Sequence, residues 1–524
     1  MLTGIKGLGD ALRDKLHELA TTGELGFHKN LRADYPDSFF ELFELEGLGP
    51  KKIALLNKEL GVNSIGSLKT ACEADKVAGL SGFGAKTQTK ILESIARLAQ
   101  TATAFRIDVA TLAAEEILDA LRKHPAVLRA SVAGSMRRSK EVVRDLDFIV
   151  ATNEPGALTK YFSTLPQAKE VIALGDTNCS IRTTEGLQCD LRAVTNAQFP
   201  FALQYFTGSK EHNVAIRSLA LKHGWSLNEY GFTGENPPVV REESDIYKAL
   251  GLDFIPPALR ENRGEIEAAD AGTLPRLIEW ENLRGTFHTH TTESDGKSTL
   301  AAMAAAAEEL GLQYLGVSDH SKSSPQANGL DQARLAAQLA TIANWNKEHA
   351  HEGFRLFAGS EVDILKDGSL DFDDELLAQL DFAVASVHNA TTLSEDEMTK
   401  RIIRAMENPY ITMLGHMTGR LLLRRDAYAV NHEKIIDAAA ATRTVIELNC
   451  NPKRLDMDWR WWHRARDKGV LCSINPDAHS TNQLQFLKFG ADVARKGWLR
   501  REDVVNTKPL AEMVEWLKLP KQRR

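Results

Sequence analysis

The order of apolar and polar positions divides the chain into three regimes. Over residues 1–100, short Gly–apolar–Gly steps each lead into a stretch with helical spacing, as at Ile53-Ala54-Leu55-Leu56. Residues 107–121 repeat apolar positions at the helical period. Two runs then alternate with period two and predict strands: Asp145-Leu146-Asp147-Phe148-Ile149-Val150, closed by Asn153-Glu154-Pro155, and Leu187-Gln188-Cys189-Asp190-Leu191-Arg192-Ala193-Val194. Residues 199–217 predict a loop plus a helix, and 225–250 predict short strands and a final helix. The charged, Gly- and Pro-containing stretch 258–284 predicts a linker. From 285 onward, apolar runs such as Tyr314-Leu315-Gly316-Val317, Phe382-Ala383-Val384-Ala385 and Val445-Ile446-Glu447-Leu448 alternate with helical stretches at 300–310, 332–346 and 435–441. Buried parallel strands joined by helices predict a β/α barrel.

Composition changes this picture little. At 524 residues, 43% hydrophobic and 26% charged, the chain has the make-up of a globular protein of three or four domains. The net charge of −7 rules out a general electrostatic field for nucleic acid but not local phosphate sites. Basic and acidic residues balance over 1–100. Five scattered cysteines without a CxxC pair suit a reducing cytosol and no disulfide framework. No apolar run is long enough to span a membrane, so a cytoplasmic protein is expected.

Three groups of residues carry candidate chemistry. On a strand, residues two apart face the same way, so Asp145 and Asp147 pair two carboxylates on one face. Like charges held that close call for a cation, and hard oxygen ligands suit Mg²⁺ or Mn²⁺. Asp190 adds a third carboxylate from the second strand. Upstream, Gly134 and Ser135 offer backbone N–H groups and a hydroxyl to a phosphate, beside the guanidinium forks of Arg137 and Arg138. Any one of these aspartates is ordinary on an exposed strand; the combination points to two-metal nucleotidyl transfer. In the barrel region, His288, His290, Asp295, His320, Glu361, His388, His416, Asp477 and His479 fall at strand ends, where a barrel builds its active face. A single histidine there is usually structural; six of the chain's 15 are not explained by packing. Such a ligand set suits two or three divalent metals, Mn²⁺, Zn²⁺ or Fe²⁺, and attack on phosphorus. Near the start, Gly7 and Gly9, Gly47 and Gly49, and Gly82 and Gly84 flank single apolar residues before predicted helices. Such turns present helix-start N–H groups to a phosphate backbone.

The run Gly134-Ser135-x-Arg137-Arg138…Glu141…Asp145-x-Asp147, with Asp190 and then Tyr205-Phe206-Thr207-Gly208-Ser209, Asn213, Arg217 and Asn228-Glu229-Tyr230, resembles the palm and thumb of family X DNA polymerases. The Gly–apolar–Gly steps resemble helix-hairpin-helix motifs, and the nine barrel residues match the PHP (polymerase and histidinol phosphatase) domain at every ligand position. The resemblance, to a bacterial family X polymerase with a C-terminal PHP domain, covers nearly the whole chain. It implies a multidomain α/β architecture: a helix-hairpin-helix region at 1–100, a nucleotidyltransferase palm at 101–195, a thumb at 196–257, the linker at 258–284 and a distorted seven-stranded PHP barrel at 285–524. It implies that Asp145 and Asp147 hold both palm metals and that Asp190 holds the catalytic one and helps activate the primer 3′-OH. Gly134, Ser135 and Arg138 are then expected at the nucleotide's triphosphate, Tyr205, Phe206 and Asn213 at its sugar and base, and Gly208 in the same nucleotide pocket. The paired hairpin glycines and Arg217 are expected on DNA, and the barrel ligands on a trinuclear centre.

The implied activity is gap-filling DNA synthesis in base excision repair on gapped or primed DNA with dNTPs. A barrel 3′–5′ exonuclease, and cutting at abasic sites, go with it. A nucleoid-associated monomer is expected. Two departures stand out. Arg144 occupies a position where a small residue is expected. The chain also starts inside the first hairpin, as if the small N-terminal domain were truncated, although Lys15 lies near the family's Schiff-base lysine. Lys15 otherwise reads as a solvated helix residue. These departures keep one alternative open, a PHP phosphoesterase with a degenerate palm; a non-catalytic DNA-end binder is a second. Trp459, Trp461 and Trp462 read as one face of a helix packed on the barrel rather than as base-stacking groups. Arg420 and Arg424-Arg425 fit a phosphate site or a solvated loop equally well, and Lys521-Gln522-Arg523-Arg524 reads as a frayed tail.

Overall fold

A computed structural model describes residues 9–33, 35–45, 48–101, 103–349 and 353–524. The chain forms two compact units, divided between Ala102 and Thr103. In the first, helices at Asp10–Thr22 (α1), Gly26–Ala33 (α2), Pro50–Leu60 (α3), Ile65–Glu73 (α4) and Ala85–Thr101 (α5) account for most of the structure. Its core joins Leu42, Ile53, Leu56, Leu68, Cys72, Val77 and Ile91. Gly9 and Gly49 are the N-caps of α1 and α3, and Gly84 directly precedes α5. Gly7 and Gly47 lie outside the described residues.

The second unit begins with a five-stranded sheet, β1 (Val127–Val132), β2 (Asp145–Thr152), β3 (Ala168–Leu174), β4 (Asn178–Thr183) and β5 (Gln188–Val194), in spatial order β1-β2-β5-β4-β3. Only the central β2–β5 pair is parallel. The alternation along β2 decides which side is which. Leu146, Phe148 and Val150 are buried against Ile117 and Leu121 of α6 (Ile107–Lys123) and Leu158 and Phe162 of α8 (Pro155–Ser163). The opposite face begins with the two aspartates and continues as Ile149 and Ala151, which pack under α9 (Phe199–Thr207). One strand face is therefore polar at its start and apolar beyond. Between β1 and β2 lies the short helix α7 (Gly134–Arg137). Residues 199–217 contain two helices rather than a loop and a helix: α9 is followed by α10 (Lys210–Lys222), whose N-cap Ser209 accepts the His212 N–H.

The segment expected as a linker is folded. Arg260 is fully buried; its Nη1 donates to Glu243 Oε1 (2.5 Å) and its Nε to the Ile255 carbonyl (2.9 Å). Glu265, also fully buried, bonds His212 Nδ1 (2.7 Å). Charged residues in a Gly- and Pro-containing stretch look like solvent-exposed linker until partners from elsewhere neutralise them. Removing one partner of a buried pair costs roughly 3–5 kcal/mol. Arg260→Ala is accordingly expected to lower unfolding stability, measured by urea denaturation, by less than about that amount, because Glu243 keeps its two-bond pair with Arg137.

Seven parallel strands follow in sequential order: β6 (Gly285–Thr289), β7 (Tyr314–Val317), β8 (Arg355–Asp363), β9 (Phe382–Ser386), β10 (Met413–Leu414), β11 (Val445–Asn449) and β12 (Cys472–Asn475). The first and last meet: His290 N–H donates to the Ala478 carbonyl and Thr286 Oγ1 to the Ile474 carbonyl, nearly closing a barrel. Phe287, Tyr314, Phe357 and Phe382 pack together with Met513, Trp516 and Leu517 of the helix Leu510–Lys518. The C-terminal tail is anchored rather than frayed. Lys521 is buried with its Nζ on the Met406 and Asn408 carbonyls, and Arg524 reaches Thr412 Oγ1. The tryptophans lie on α11 (Trp459–Asp467): Trp462 is in the barrel core, Trp459 donates to Glu141 and Trp461 stacks on His432. Arg420 is tied to Asp458 and to the Arg454 and Leu455 carbonyls, a structural use of its fork. Among the described residues, no helix is long and apolar enough to cross a membrane.

Candidate active sites

The first site forms where β2 and β5 run side by side. Their register sets Asp147 opposite Asp190 and Asp145 opposite Gln188. The three carboxylates therefore meet at the start of the two strands. Asp190 accepts from Ser180 Oγ of β4 and from Gln188 Nε2 (3.1 Å), which orients it. Burial, then the charges of Asp145 and Asp190, push the Asp147 carboxyl up to about 7, against the pull of Arg192 and Arg138. Burial and Asp190 also raise Asp145; the exposed Arg144 beside it offsets part of that rise. A concentration of negative charge that keeps a proton near neutrality is one that a divalent cation would relieve.

Helix α7 brings the phosphate turn against this cluster. Gly134 has φ +61°, and a Cβ there would stand 2.2 Å from Asp147 Oδ2, so only glycine allows the approach. Ser135 is partly exposed beside it. The guanidinium of Arg138, expected at a triphosphate, is held by Glu261 Oε1 (Nε, 3.0 Å) and by the Thr207 carbonyl (Nη1, 2.5 Å). Gly208 lies against it, since a Cβ there would be 3.1 Å from Arg138 Nη1. Arg137 forms a two-bond pair with Glu243 and also reaches Thr207 Oγ1. Tyr205 and Phe206 meet edge to face at 5.1 Å, with Arg192 over the Phe206 ring. Asn213 uses its amide internally, donating to the Tyr205 carbonyl (2.7 Å) and accepting from Gln204 (2.9 Å). Arg217 is exposed on α10. In the first unit, Lys15 Nζ sits 3.4 Å from the centre of the Phe27 ring.

The second site fills one mouth of the barrel. All nine ligand-type residues expected there come together, in four overlapping groups: His290, Asp295, His320 and His479; His288, His290 and Asp477; His288, Glu361 and His416; and His320, Glu361 and His388. Within each group the potential ligand atoms lie within 4.8 Å of one another. Glu361 is the bridge. Its Oε1 is 2.9 Å from His416 Nε2 and 3.2 Å from the Nε2 atoms of His288 and His388, and its Oε2 is 2.9 Å from His320 Nδ1.

The strand β6 does not simply carry His288 and His290 on one face. Its pairing with β7 shifts register between Thr286 and Thr289, and His288 adopts φ +46°. Asp477 has φ +50°. Non-glycine residues in this region are strained and tend to mark functional sites.

The cluster fits bound cations. His288 Nε2, both ring nitrogens of His290, His320 Nδ1, Glu361 Oε2 and His416 Nδ1 are buried without a well-aligned hydrogen bond, even where Glu361 and a histidine nitrogen stand 2.9 or 3.2 Å apart, a costly condition unless something takes those lone pairs. Burial opposes charge at Glu361, but His288, His388 and His320 hold its carboxyl well below the usual range. Burial likewise opposes protonation of His388, and Glu361 and Asp363 outweigh it, lifting the imidazole to about 10. Burial, with His320 and His479, pushes His290 down to about 4. Metal binding here would displace protons.

Several residues around this cluster were not singled out by sequence reasoning. Glu447, fully buried, bonds His288 Nδ1 (2.5 Å), the His416 N–H (2.6 Å) and Asn475. Asp363 bonds His388 Nδ1 (3.0 Å). Asp319 accepts from the Thr291 N–H and hydroxyl, Ser294 and Gln338, fixing the turn that carries Asp295. Such partners set a ligand's tautomer and orientation. A carboxylate in the apolar run Val445-Ile446-Glu447-Leu448 was the available signal.

Comparison with known proteins bears on both sites. The DNA polymerase beta thumb family matches residues 202–261 and the PHP domain family matches 286–451. The DNA polymerase/3′-5′ exonuclease PolX of Bacillus subtilis (strain 168) is 38% identical over 523 residues, 99% of this chain and 91% of the relative. The chain belongs to the bacterial family X DNA polymerases with a PHP domain. As a family X member it unites two enzyme types, and the PHP part has relatives of its own. A probable phosphatase of Thermoanaerobacter sp. (strain X514) is 27% identical over 248 residues, 45% of this chain and 95% of the relative. A probable phosphatase of Syntrophotalea carbinolica is 28% identical over 231 residues, 42% and 90%. A solved structure of Leishmania infantum polymerase beta covers 43% of this chain and 98% of its own at 19% identity and a TM-score of 0.28, a likeness that carries no argument.

Proposed function

We propose that this family X polymerase fills short gaps in DNA from dNTPs, in base excision repair, and trims or opens the same substrates with its barrel. DNA polymerase and 3′–5′ exonuclease are its two metal-dependent activities. The observation that carries the reading is that one folded unit holds both clusters: Asp147 opposite Asp190 beside the Gly134 turn, and nine ligand-type side chains at the barrel mouth.

At the palm, Asp145 and Asp147 would hold two Mg²⁺ or Mn²⁺ ions and Asp190 one of them. Bound divalent metals supply charge neutralisation and Lewis acidity at phosphorus in both sites. Asp190, fixed by Ser180 and Gln188, would face the primer 3′-OH and help take its proton. The Gly134 and Ser135 N–H groups and Arg138 would receive the triphosphate, and Tyr205 and Phe206 would flank sugar and base. At the barrel, the nine residues would hold two or three ions among Mn²⁺, Zn²⁺ and Fe²⁺. Glu447 and Asp363 would keep His288 and His388 turned inward. Cutting at abasic sites is the further use of the same hydrolytic centre. The hairpin turns at Gly9, Gly49 and Gly84, and Arg217, would grip the DNA backbone without reading sequence. A nucleoid-associated monomer suits these substrates.

The test uses a 5′-labelled primer beside a one-nucleotide gap, with Mn²⁺, with and without dNTPs. Growth with dNTPs and shortening without them are expected. Shortening in both conditions would mean that the palm is inactive and the protein is a DNA phosphoesterase.

A further inference from the structure

One buried lysine of the barrel holds the palm's phosphate turn, alongside the Trp459–Glu141 hydrogen bond. Lys496 ends helix α12 (Leu487–Lys496) on the barrel's outer layer and is 1% exposed. Its Nζ donates to three acceptors: Glu261 Oε1 (2.6 Å), the Arg138 carbonyl (2.8 Å) and the Ala258 carbonyl (3.3 Å). Three acceptors match the three N–H bonds of an ammonium group. Glu261 in turn holds Arg138 Nε (3.0 Å) and faces Lys140 Nζ (3.2 Å). Arg138 is thus gripped at both ends, its carbonyl by Lys496 and its guanidinium by the carboxylate that Lys496 also holds. Lys496 and Arg138 lie 358 positions apart in the chain.

A buried lysine is an expensive way to join two surfaces that methionine or leucine could join by packing. The ammonium does what an apolar residue could not. Without it Glu261 faces only cations of the palm turn, and the Arg138 carbonyl loses a buried donor. The guanidinium keeps Glu261 and the Thr207 carbonyl, but neither that carboxylate nor the Arg138 backbone is then tied to the barrel helix.

We infer that Lys496, a residue of the nuclease barrel, is a positioning residue for nucleotide incorporation in the palm, acting through Glu261 and the Arg138 carbonyl to hold the Arg138 guanidinium where a triphosphate binds. The inference rests on the reading of Arg138 as a triphosphate contact.

The test compares full-length Lys496→Met, Lys496→Arg, Glu261→Gln and Arg138→Ala proteins in single-nucleotide gap filling across dNTP concentrations. Exonuclease on single-stranded DNA is measured in the same preparations. Loss of a charged hydrogen bond at this point predicts a rise in KM for dNTP of about tenfold or more in Lys496→Met. Exonuclease is expected unchanged, with partial recovery in Lys496→Arg. Should Lys496→Met fail to fold, Glu261→Gln, which keeps the side-chain shape, carries the same expectation. A KM effect in Arg138→Ala without one in Lys496→Met or Glu261→Gln would overturn the inference, as would an equal fall of both activities. An unchanged KM in Arg138→Ala would instead refute the triphosphate reading itself.

Discussion

Replacing Glu361 by glutamine is expected to abolish the exonuclease and leave primer extension at its original rate. Glu361 belongs to two of the four ligand groups, and four histidine nitrogens lie within 3.2 Å of its oxygens. The amide keeps the shape but removes the negative charge that joins His288, His416, His388 and His320. Loss of a partner outside the ligand set typically costs 10–100-fold in metal affinity or activity. Loss of the bridging ligand should cost more than about 100-fold in nuclease rate. Metal content, by elemental analysis of the purified protein, should fall with it. A nuclease rate within tenfold of the parent would show that the cluster does not depend on Glu361. Primer extension is the internal control, because the carboxylates of the palm stand on other strands of another sheet.

The converse substitution, Asp190→Asn, is expected to silence synthesis and spare the nuclease. Asp190 is the only one of the three palm carboxylates contributed by β5, and its register partner is Asp147. Asparagine can keep one oxygen for Ser180 and Gln188, so the strand pairing should persist while the charge is lost. Removing a single preorganised electrostatic group from a transition state commonly costs 10²–10³-fold. A fall of at least about 10²-fold in single-turnover incorporation is therefore expected, with exonuclease on single-stranded DNA unaltered. Synthesis that persisted would place the catalytic carboxylates elsewhere. Parallel loss of both activities would point to damage in the sheet, which a thermal melt of the variant would reveal.

Both sites were legible beforehand in part. Most of the ligand-type residues of the barrel could be read because they stand at or just beyond the end of a predicted strand, a position the local pattern marks without knowledge of partners, whereas Asp295 lies in a turn. The paired aspartates of β2 could be read for a similar reason, since alternation alone puts Asp145 and Asp147 on one face. Asp363 and Glu447 escaped notice because their role depends on a histidine brought alongside by another strand.

The stretch 258–284 shows the limit most clearly. Its glutamates and arginines looked like solvated linker. Arg260 and Glu261 are in fact neutralised by Glu243 and by Lys496 with Arg138, and Glu265 is hydrogen-bonded to His212, all from other elements. The tail at Lys521 is likewise held from elsewhere, by the Met406 and Asn408 carbonyls.

By itself, the sequence determined periodicity: which residues form strands, which face each presents, and hence which carboxylates and histidines stand ready at a strand end. Those are short-range properties, set by backbone geometry and the burial of neighbouring apolar positions. The tertiary structure alone decided that β2 and β5 pair in the register that opposes Asp147 to Asp190. It alone decided that Glu361 bridges two groups of histidines, and that a barrel lysine closes on the palm's phosphate turn. These depend on charges meeting across long separations. A buried charge is tolerable only once its partner has arrived, and no local pattern records where that partner will come from.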